Sequence, residues 1–318
     1  LKPGSHSVRL LKLFRILCKA APVCAMPIRP AVGRSVPVRF YGMIESKSYI
    51  RKGNNWYLGG KRVTGAKLAG IKKMAIPPGW SKVHVAVSPR DKLQVVGLDK
   101  AGRTVRRYSD KFTAIKKQQK FVRVRQFSRD LPAARKGMMA SDAPANMLLR
   151  IEDKTAMRIG GTKDLKAKVK SYGLTTLEGR HINITGSTIN FDYIAKEGIR
   201  QQKSIQDVAL AKWLRARKTK AGAAGKLFPD VSATKLNAQL KKLSGSSYSL
   251  KDVRTFHATN KAHAKLVGYE NTVLTTQQRK QIVKDVTEDV SKFLGNTPTM
   301  AKNSYIDPQV WSLIGGLP

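Results

Sequence analysis

The residues with chemistry to offer are few and stand at structural punctuation. LGNTPTMAKNSYIDP (residues 294–308) carries Tyr305. Upstream, Arg158 stands before Gly160-Gly161, Lys196 before Glu197-Gly198, Arg254 within SLKDVRTF, and Asn296 ahead of the final helix. A tyrosine hydroxyl, with an ordinary pKa of about 10, is a poor nucleophile at neutral pH. Arginine keeps its proton and its planar fork can bond two phosphate oxygens, so arginines can stabilise charge that builds on a phosphodiester. Lysine can have its pKa lowered by neighbouring cations, which suits it to give a proton to a departing oxygen. Each residue also has a plain structural reading. Arg158 is a favourable charge at a helix C-terminus, Lys196 a solvated turn residue, Arg254 a surface charge, Asn296 a cap or turn, and Tyr305 an amphipathic side chain that packs its ring and wets its hydroxyl.

The elements that must position these residues can be read from pattern. Thr297 is an N-cap and Pro298 fits the first helical position, so a short helix is expected until Asp307-Pro308 stops it, with Tyr305 at its far end. SLKD opens another helix as a capping box of Ser249 and Asp252, with Arg254 in its first turns. Ser141 or Asp142 is expected to cap a helix through NMLLRIEDKTAMRI, in which Leu148, Ile151, Thr155 and Ile159 recur at helical spacing; Arg158 falls in its last turn and Gly160-Gly161 ends it. An antiparallel meander should follow: LTTL, HINIT, a Gly186-Ser187 turn, TINFDYIAK, and a Glu197-Gly198 turn into IRQQKSI, with Lys196 at the tip.

Residues 43–110 read as short strands instead: WYLGGKRV, VHVAV, KLQVVGL and RTVRRY, the last two flanking the turn DKAG. Alternation puts Arg103, Val105 and Arg107 on one face of RTVRRY and Thr104, Arg106 and Tyr108 on the other, so one basic face is suited to phosphates. KFTAIKKQQKFVRVRQFSRDLPAARKGMM reads as a helix with a basic face. The expected fold class is α+β: a small β-rich domain at 43–110 and a larger, mostly helical domain at 111–318 with one embedded antiparallel sheet.

Composition narrows the function. The chain has 318 residues, 41% of them hydrophobic, which is ordinary for a folded protein, but 61 Lys and Arg against 20 Asp and Glu give a net charge of +41 spread along the sequence. Such self-repulsion implies a polyanionic partner, nucleic acid first, with a ribosomal-type structural protein or a membrane-surface binder as alternatives. Cys18 and Cys24 are the only cysteines, at a spacing that fits neither a redox CxxC nor a zinc knuckle, so a reducing compartment without structural disulfides is expected. His257 and His263 do not share a helical face at ligand spacing, and no metal site is expected. GKRVTGAK (residues 60–67) misses a P-loop by one position and lacks the following Ser or Thr, and there is no GxGxxG, so no nucleotide cofactor is expected. No apolar run is long enough for a transmembrane helix. Residues 1–42 are free of acids; Lys12, Arg15 and Lys19 interrupt their apolar patch too often for a secretory signal. They are expected to be a disordered basic extension, or sequence ahead of a start at Met43, with a transit peptide as the other reading.

Taken together, RIGG, YGLTTLEGRHI, FDYIAKEGIR, LKDVRTF and LGNTPTMAKNSY, in this order and spacing, resemble the catalytic domain of the type IB DNA topoisomerases, particularly the small form of poxviruses, large DNA viruses and bacteria. IPPGW (residues 76–80) and GLDKAGRTVRRY (residues 97–108) are similar to that family's N-terminal domain. The resemblance runs from about Met43 to the C-terminus. It implies that Tyr305 is the nucleophile forming a 3′-phosphotyrosyl bond, that Arg158 and Arg254 clamp the scissile phosphate, and that Lys196 protonates the leaving 5′-oxygen. Asn296 stands where many relatives carry a histidine, as in the bacterial variant. Val105 and Arg106 replace the family's Gln and Tyr, while Tyr108 matches. Arg103, Arg106, Arg107, Tyr108, Arg180 and His181 are the implied DNA contacts.

The function implied is relaxation of supercoiled duplex DNA without ATP, cofactor or obligatory metal, by a monomer whose two domains clamp the duplex. Its setting would be a bacterial nucleoid or cytoplasm, or a virion or host cell. The rival readings are a tyrosine recombinase, which shares the Arg, Lys, Arg and Tyr chemistry, and a non-enzymatic basic DNA or RNA binder.

Overall fold

The computed structural model describes residues 47–161, 165 and 170–318, so the expectations for residues 1–42, Met43, Cys18 and Cys24 lie outside the described residues. The chain divides into two compact units, one up to Gln119 and one from Lys120 onward.

In the first unit, β1 (Ser48–Lys52), β2 (Asn55–Leu58) and β3 (Lys61–Arg62) are followed by α1 (Gly65–Lys73), β4 (Ser81–Ala86), β5 (Leu93–Leu98) and β6 (Thr104–Tyr108). The strands form one antiparallel sheet in the order β3-β2-β1-β4-β5-β6. Period-2 alternation turns Tyr49, Trp56, Val83, Val85 and Val95 to one face, where Ile71 of α1 joins them. The sequence pattern had not separated α1 from its β-like surroundings, because Ile71 is the only fully buried residue of GAKLAGIKK and the helical period barely registers. DKAG makes the expected hairpin: the Asp99 N–H donates to Arg103 O (3.0 Å) and the Gly102 N–H to Asp99 O (2.9 Å).

α2 (Asp110–Met139) carries the boundary between the units within its length. From Lys120 on, Phe121, Val124, Phe127, Leu131, Ala134 and Met138 form its buried stripe at spacings of three and four. Next comes α3 (Pro144–Thr155), which differs from expectation at both ends. Its N-cap is Ala143 with Pro144 in the first turn, because proline's fixed φ suits that position. Ser141 instead accepts a bond from Asn146 Nδ2 (3.0 Å), and Asp142 lies 3.9 Å from Arg150. The helix stops at Thr155, since Ala156 turns left-handed (φ 49°, ψ 36°), so Arg158 stands beyond the helix and not in its last turn. The reason is tertiary. The carbonyls of Arg158 and Ile159 accept from Leu174 N (2.8 Å) and Thr175 N (2.7 Å), pairing that helical continuation would forbid. Gly160 makes this possible: a Cβ there would fall 2.9 Å from the Gly173 Cα.

LTTL is likewise not a strand. Leu174–Thr176 is a single 3-10 turn, its backbone engaged with the 158–159 segment instead of a sheet partner. The second sheet is β7 (Ile182–Thr185), β8 (Thr188–Ile194) and β9 (Arg200–Gln206), in that order. Helices follow: α4 (Val208–Ala221), α5 (Ala233–Ser244), α6 (Leu250–Leu266), α7 (Thr276–Leu294) and α8 (Pro298–Ser304), then a 3-10 helix at Pro308–Ile314. α6 opens on the expected capping box, with the Ser249 N–H donating to Asp252 Oδ2 (2.9 Å). Two apolar clusters hold this unit. One joins α2 and α3 to the second sheet, α4 and α5; the other joins α6, α7, α8 and Trp311. Each fully buried Leu, Ile or Phe in them contributes about 1.5–3 kcal/mol. The fold is therefore α+β, and no described helix is long and apolar enough to cross a membrane.

Candidate active site

Arg254 is the hub. It lies in the second turn of α6, is 4% exposed, and its guanidinium donates through Nη1 to Ala156 O and through Nη2 to Leu294 O (3.1 Å). Those acceptors are the left-handed residue after α3 and the last residue of α7, so one buried side chain ties together three helix termini. This position excludes the surface-charge reading of Arg254. Burial lowers its pKa from the usual arginine range, while Glu152 and Tyr305 act to raise it.

Tyr305 caps the C-terminal end of α8, half-buried, with its ring centroid 5.6 Å from the Arg254 guanidinium carbon. α8 is the short helix the sequence indicated: Thr297 Oγ1 accepts from Met300 N (3.2 Å) and Pro298 opens the first turn. The backbone around Tyr305 is held from two sides. Thr259 of α6 donates its hydroxyl to Tyr305 O (3.1 Å) and accepts from Asp307 N (3.1 Å). From α2, Lys120 Nζ donates to Ser304 O (2.8 Å) and Arg125 pairs with Asp307 (2.5 Å).

Arg158 is half-buried in the segment after α3, within electrostatic reach of Arg254 and Tyr193. Asn296 follows Gly295, whose left-handed backbone (φ 63°) ends α7; both polar atoms of its amide are buried with no hydrogen-bond partner among the described residues. Lys196 is not brought to this cluster. It stands on the β8–β9 turn as expected, 65% exposed, with its Nζ 3.9 Å from Glu197.

The expected DNA contacts divide by environment. Arg107 of β6 is half-buried, donates to Met74 O (2.7 Å) and lies over the Trp80 ring (5.1 Å), while Arg103 pairs with Asp99 in the hairpin turn (2.8 Å). Arg106 and Tyr108 occupy the open face of the strand. In the second unit, Arg180 is exposed beside Glu178 (2.7 Å), whereas the His181 ring is buried with Nδ1 accepting from Glu178 N (2.9 Å). Among the described residues no group of three His, Cys, Asp or Glu could hold a metal ion.

A family model described as "Eukaryotic DNA topoisomerase I, catalytic core" matches residues 106–311, nearly two thirds of the chain. The chain belongs to the type IB DNA topoisomerase family. Membership makes it an isomerase that acts on DNA. A model of the bacterial DNA topoisomerase IB N-terminal domain matches residues 57–99, within the first sheet unit. A DNA topoisomerase 1B of Acanthamoeba polyphaga mimivirus is 26% identical over 271 residues, covering 77% of this chain and 79% of the relative.

Three residues that shape this candidate site were not singled out in the sequence. Thr259 is one. The others are Glu152, fully buried in α3, and Lys203, half-buried in β9. Burial pushes the Glu152 carboxyl well up, with Arg254 pulling against it. Burial, reinforced by Arg254, lowers the Lys203 ammonium to about 8. Lys203 Nζ donates to Phe293 O (2.5 Å), one residue before the carbonyl that Arg254 holds. The signal for Glu152 was present: it lies between Leu148 and Thr155 on the inward phase of α3, where an acid is out of pattern.

Proposed function

We propose that the chain relaxes supercoiled duplex DNA by transient cleavage of one strand through Tyr305, rotation and resealing. The observation that carries this reading is the pairing of Tyr305 with a buried, doubly held arginine. In the proposed reaction the Tyr305 oxygen attacks the scissile phosphorus and its proton passes to solvent; a 3′-phosphotyrosyl bond forms as the bond to the 5′-oxygen breaks. Arg254 and Arg158 meet the charge that builds on the non-bridging oxygens. Because Arg254 is already bound to Ala156 O and Leu294 O, it needs no reorganisation at the moment of reaction. Asn296, with an unpaired buried amide, has a hydrogen bond to offer a phosphate oxygen. Lys196 protonates the departing 5′-oxygen; its exposed place on the turn means that it reaches the reacting atoms only in the DNA-bound state. Religation reverses the step, so the phosphotyrosyl bond retains the energy of the backbone and no ATP is needed.

DNA contact beyond the site falls to the exposed Arg103, Arg106 and Tyr108 of the β6 hairpin and to Arg180, with Arg107 and His181 holding the elements that present them. We assign residues 43–110 to an N-terminal DNA-binding domain and 111–318 to the catalytic domain, acting as a monomer wherever duplex DNA is handled, in a bacterial nucleoid or in a virus-infected cell. The test is to incubate the chain with supercoiled plasmid in EDTA without ATP and to quench with SDS. Relaxed topoisomers with protein bound at the 3′ end of the nick are expected. Tight plasmid binding with unchanged supercoils would overturn the reading.

A further inference from the structure

β9 carries a lysine where its pattern calls for an apolar side chain. Along this strand the inward positions are Gln201, Lys203 and Ile205, while Arg200, Gln202, Ser204 and Gln206 are exposed. Both polar residues of the inward face meet the end of α7. Lys203 Nζ donates to Phe293 O (2.5 Å) and lies 4.5 Å from the centre of the Phe293 ring. Gln201, 8% exposed, fills the space that a Cβ on residue 295 would need, and the left-handed backbone there (φ 63°) also asks for the glycine that Gly295 supplies.

A helix leaves its last four carbonyls without intrahelical partners, and the end of α7 shows where each of them turns. Ser291 O accepts from Asn296 N (3.1 Å) and Lys292 O from Gly295 N (3.3 Å). Phe293 O accepts from Lys203, and Leu294 O from Arg254 Nη2 (3.1 Å). The first two bonds fold the chain back over the helix end. The other two come from cations, which suit the negative pole of a helix, and they fasten that end to β9 and α6. Asn296 is the next residue, and both polar atoms of its amide are buried with no partner among the described residues. Where that amide stands is set by how firmly the carbonyl turn before it is held.

We propose that Lys203 is a positioning residue for Asn296: it pins the last turn of α7 from the β9 side and so keeps the Asn296 amide in place for a phosphate oxygen. The inference rests on the assignment of Asn296 to the phosphate. Arg254 holds only Leu294 O, so without Lys203 the Phe293 carbonyl loses its donor and the turn shifts to find another. In this role Lys203 touches no reacting atom, which separates it from Lys196.

The test is NMR of the full chain carrying isotope-labelled asparagine, in which the Asn296 signals are identified by their loss in Asn296→Ala. Lys203→Met should move the side-chain amide signals of Asn296 and speed solvent exchange of its backbone N–H by about tenfold, because one charge-assisted hydrogen bond leaves that turn. At saturating DNA the same variant should slow single-turnover adduct formation by about tenfold while DNA affinity stays within about twofold. That slowing should disappear when Lys203→Met is made in the Asn296→Ala background. Gln201→Ala, which only shortens a side chain packed on Gly295, should move the Asn296 signals too, and it serves independently should Lys203→Met not fold. Asn296 signals indifferent to both variants overturn the proposal, as does a slowing that persists in full without the Asn296 amide. Missing adduct from the unmodified chain would instead sink the nucleophile assignment, with the Asn296 signals still deciding whether Lys203 places that amide.

Discussion

The Arg254 guanidinium carbon lies 5.6 Å from the centre of the Tyr305 ring, and the carbonyls of Ala156 and Leu294 hold it there. Removing this arginine should therefore damage both chemistry and fold. Arg254→Ala is expected to slow single-turnover cleavage by at least about 100-fold, the scale for loss of one preorganised donor. It should also lower stability by about 3 kcal/mol, because the buried carbonyls of Ala156 and Leu294 lose their donor. Arg254→Lys keeps the charge but cannot fork to both carbonyls, so cleavage should remain depressed. Adduct kinetics and urea unfolding on the same proteins check both parts.

Tyr305→Phe should abolish the covalent adduct and all relaxation while leaving salt-dependent DNA affinity within about twofold, since that affinity comes from phosphate contacts elsewhere. The decisive gel compares SDS-quenched reactions of the two proteins. Adduct from the phenylalanine variant would assign the nucleophile to another residue.

Thr259 links the backbone on both sides of Ile306 through one hydroxyl. Thr259→Val removes both bonds and should cost about 1–3 kcal/mol, with cleavage slowed because the Tyr305 oxygen is no longer held in line. Thr259→Ser retains the hydroxyl and should restore the cleavage rate. Equal rates for the Val and Ser variants would show that the hydroxyl plays no part in aligning Tyr305.

On β6, two neighbouring arginines should behave differently. Arg106 is on the open face, and its replacement by Ala should weaken DNA binding and reduce the salt dependence of affinity by about one phosphate contact. Arg107 is bound to Met74 O and packed on Trp80, so Arg107→Ala should chiefly lower the melting temperature. Affinity measured over a salt series, with melting curves, separates the two.

Asp153 gives the site region a pH dependence in stability. Burial pushes its carboxyl up, but hydrogen bonds from His257 and Arg135 outweigh this and hold it at about 2. A folded value below the unfolded one of about 3.9 stabilises the fold above that pH, and the contribution is lost as pH falls from about 4 toward 2. Asp153→Asn should therefore cost about 2 kcal/mol at neutral pH, and the gap from the unmodified chain should close through that window. Urea unfolding at a series of pH values tests it; a gap that stays constant down to pH of about 2 would refute the linkage.

Local chemistry made much of the fold legible. Thr297-Pro298 and the Ser249–Asp252 box mark helix starts through backbone groups that any helix leaves unpaired, so the starts of α8 and α6 could be read without knowing their neighbours. DKAG likewise dictates its own hairpin. The failures came where distant backbone competed. Helical spacing carried α3 on to Ile159, but carbonyls 158 and 159 pair instead with amides 174 and 175, ending the helix at Thr155 and turning LTTL from a strand into a turn.

The same division runs through the site. By itself the sequence determined the residue types, their order and the strongly basic charge, since the chemistry that a tyrosine, an arginine or a lysine can offer belongs to the side chain and needs only its presence. Tertiary structure alone decided that Arg254 is a buried hub and not a surface charge and that Tyr305 lies beside it, whereas the exposed turn of Lys196 was already legible in Glu197-Gly198. It also decided that an acid in α3 and a lysine in β9 come within electrostatic reach of Arg254. The two hydrogen bonds of Arg254 alone reach groups 40 and 98 residues away in the chain, and no local pattern encodes which such groups meet.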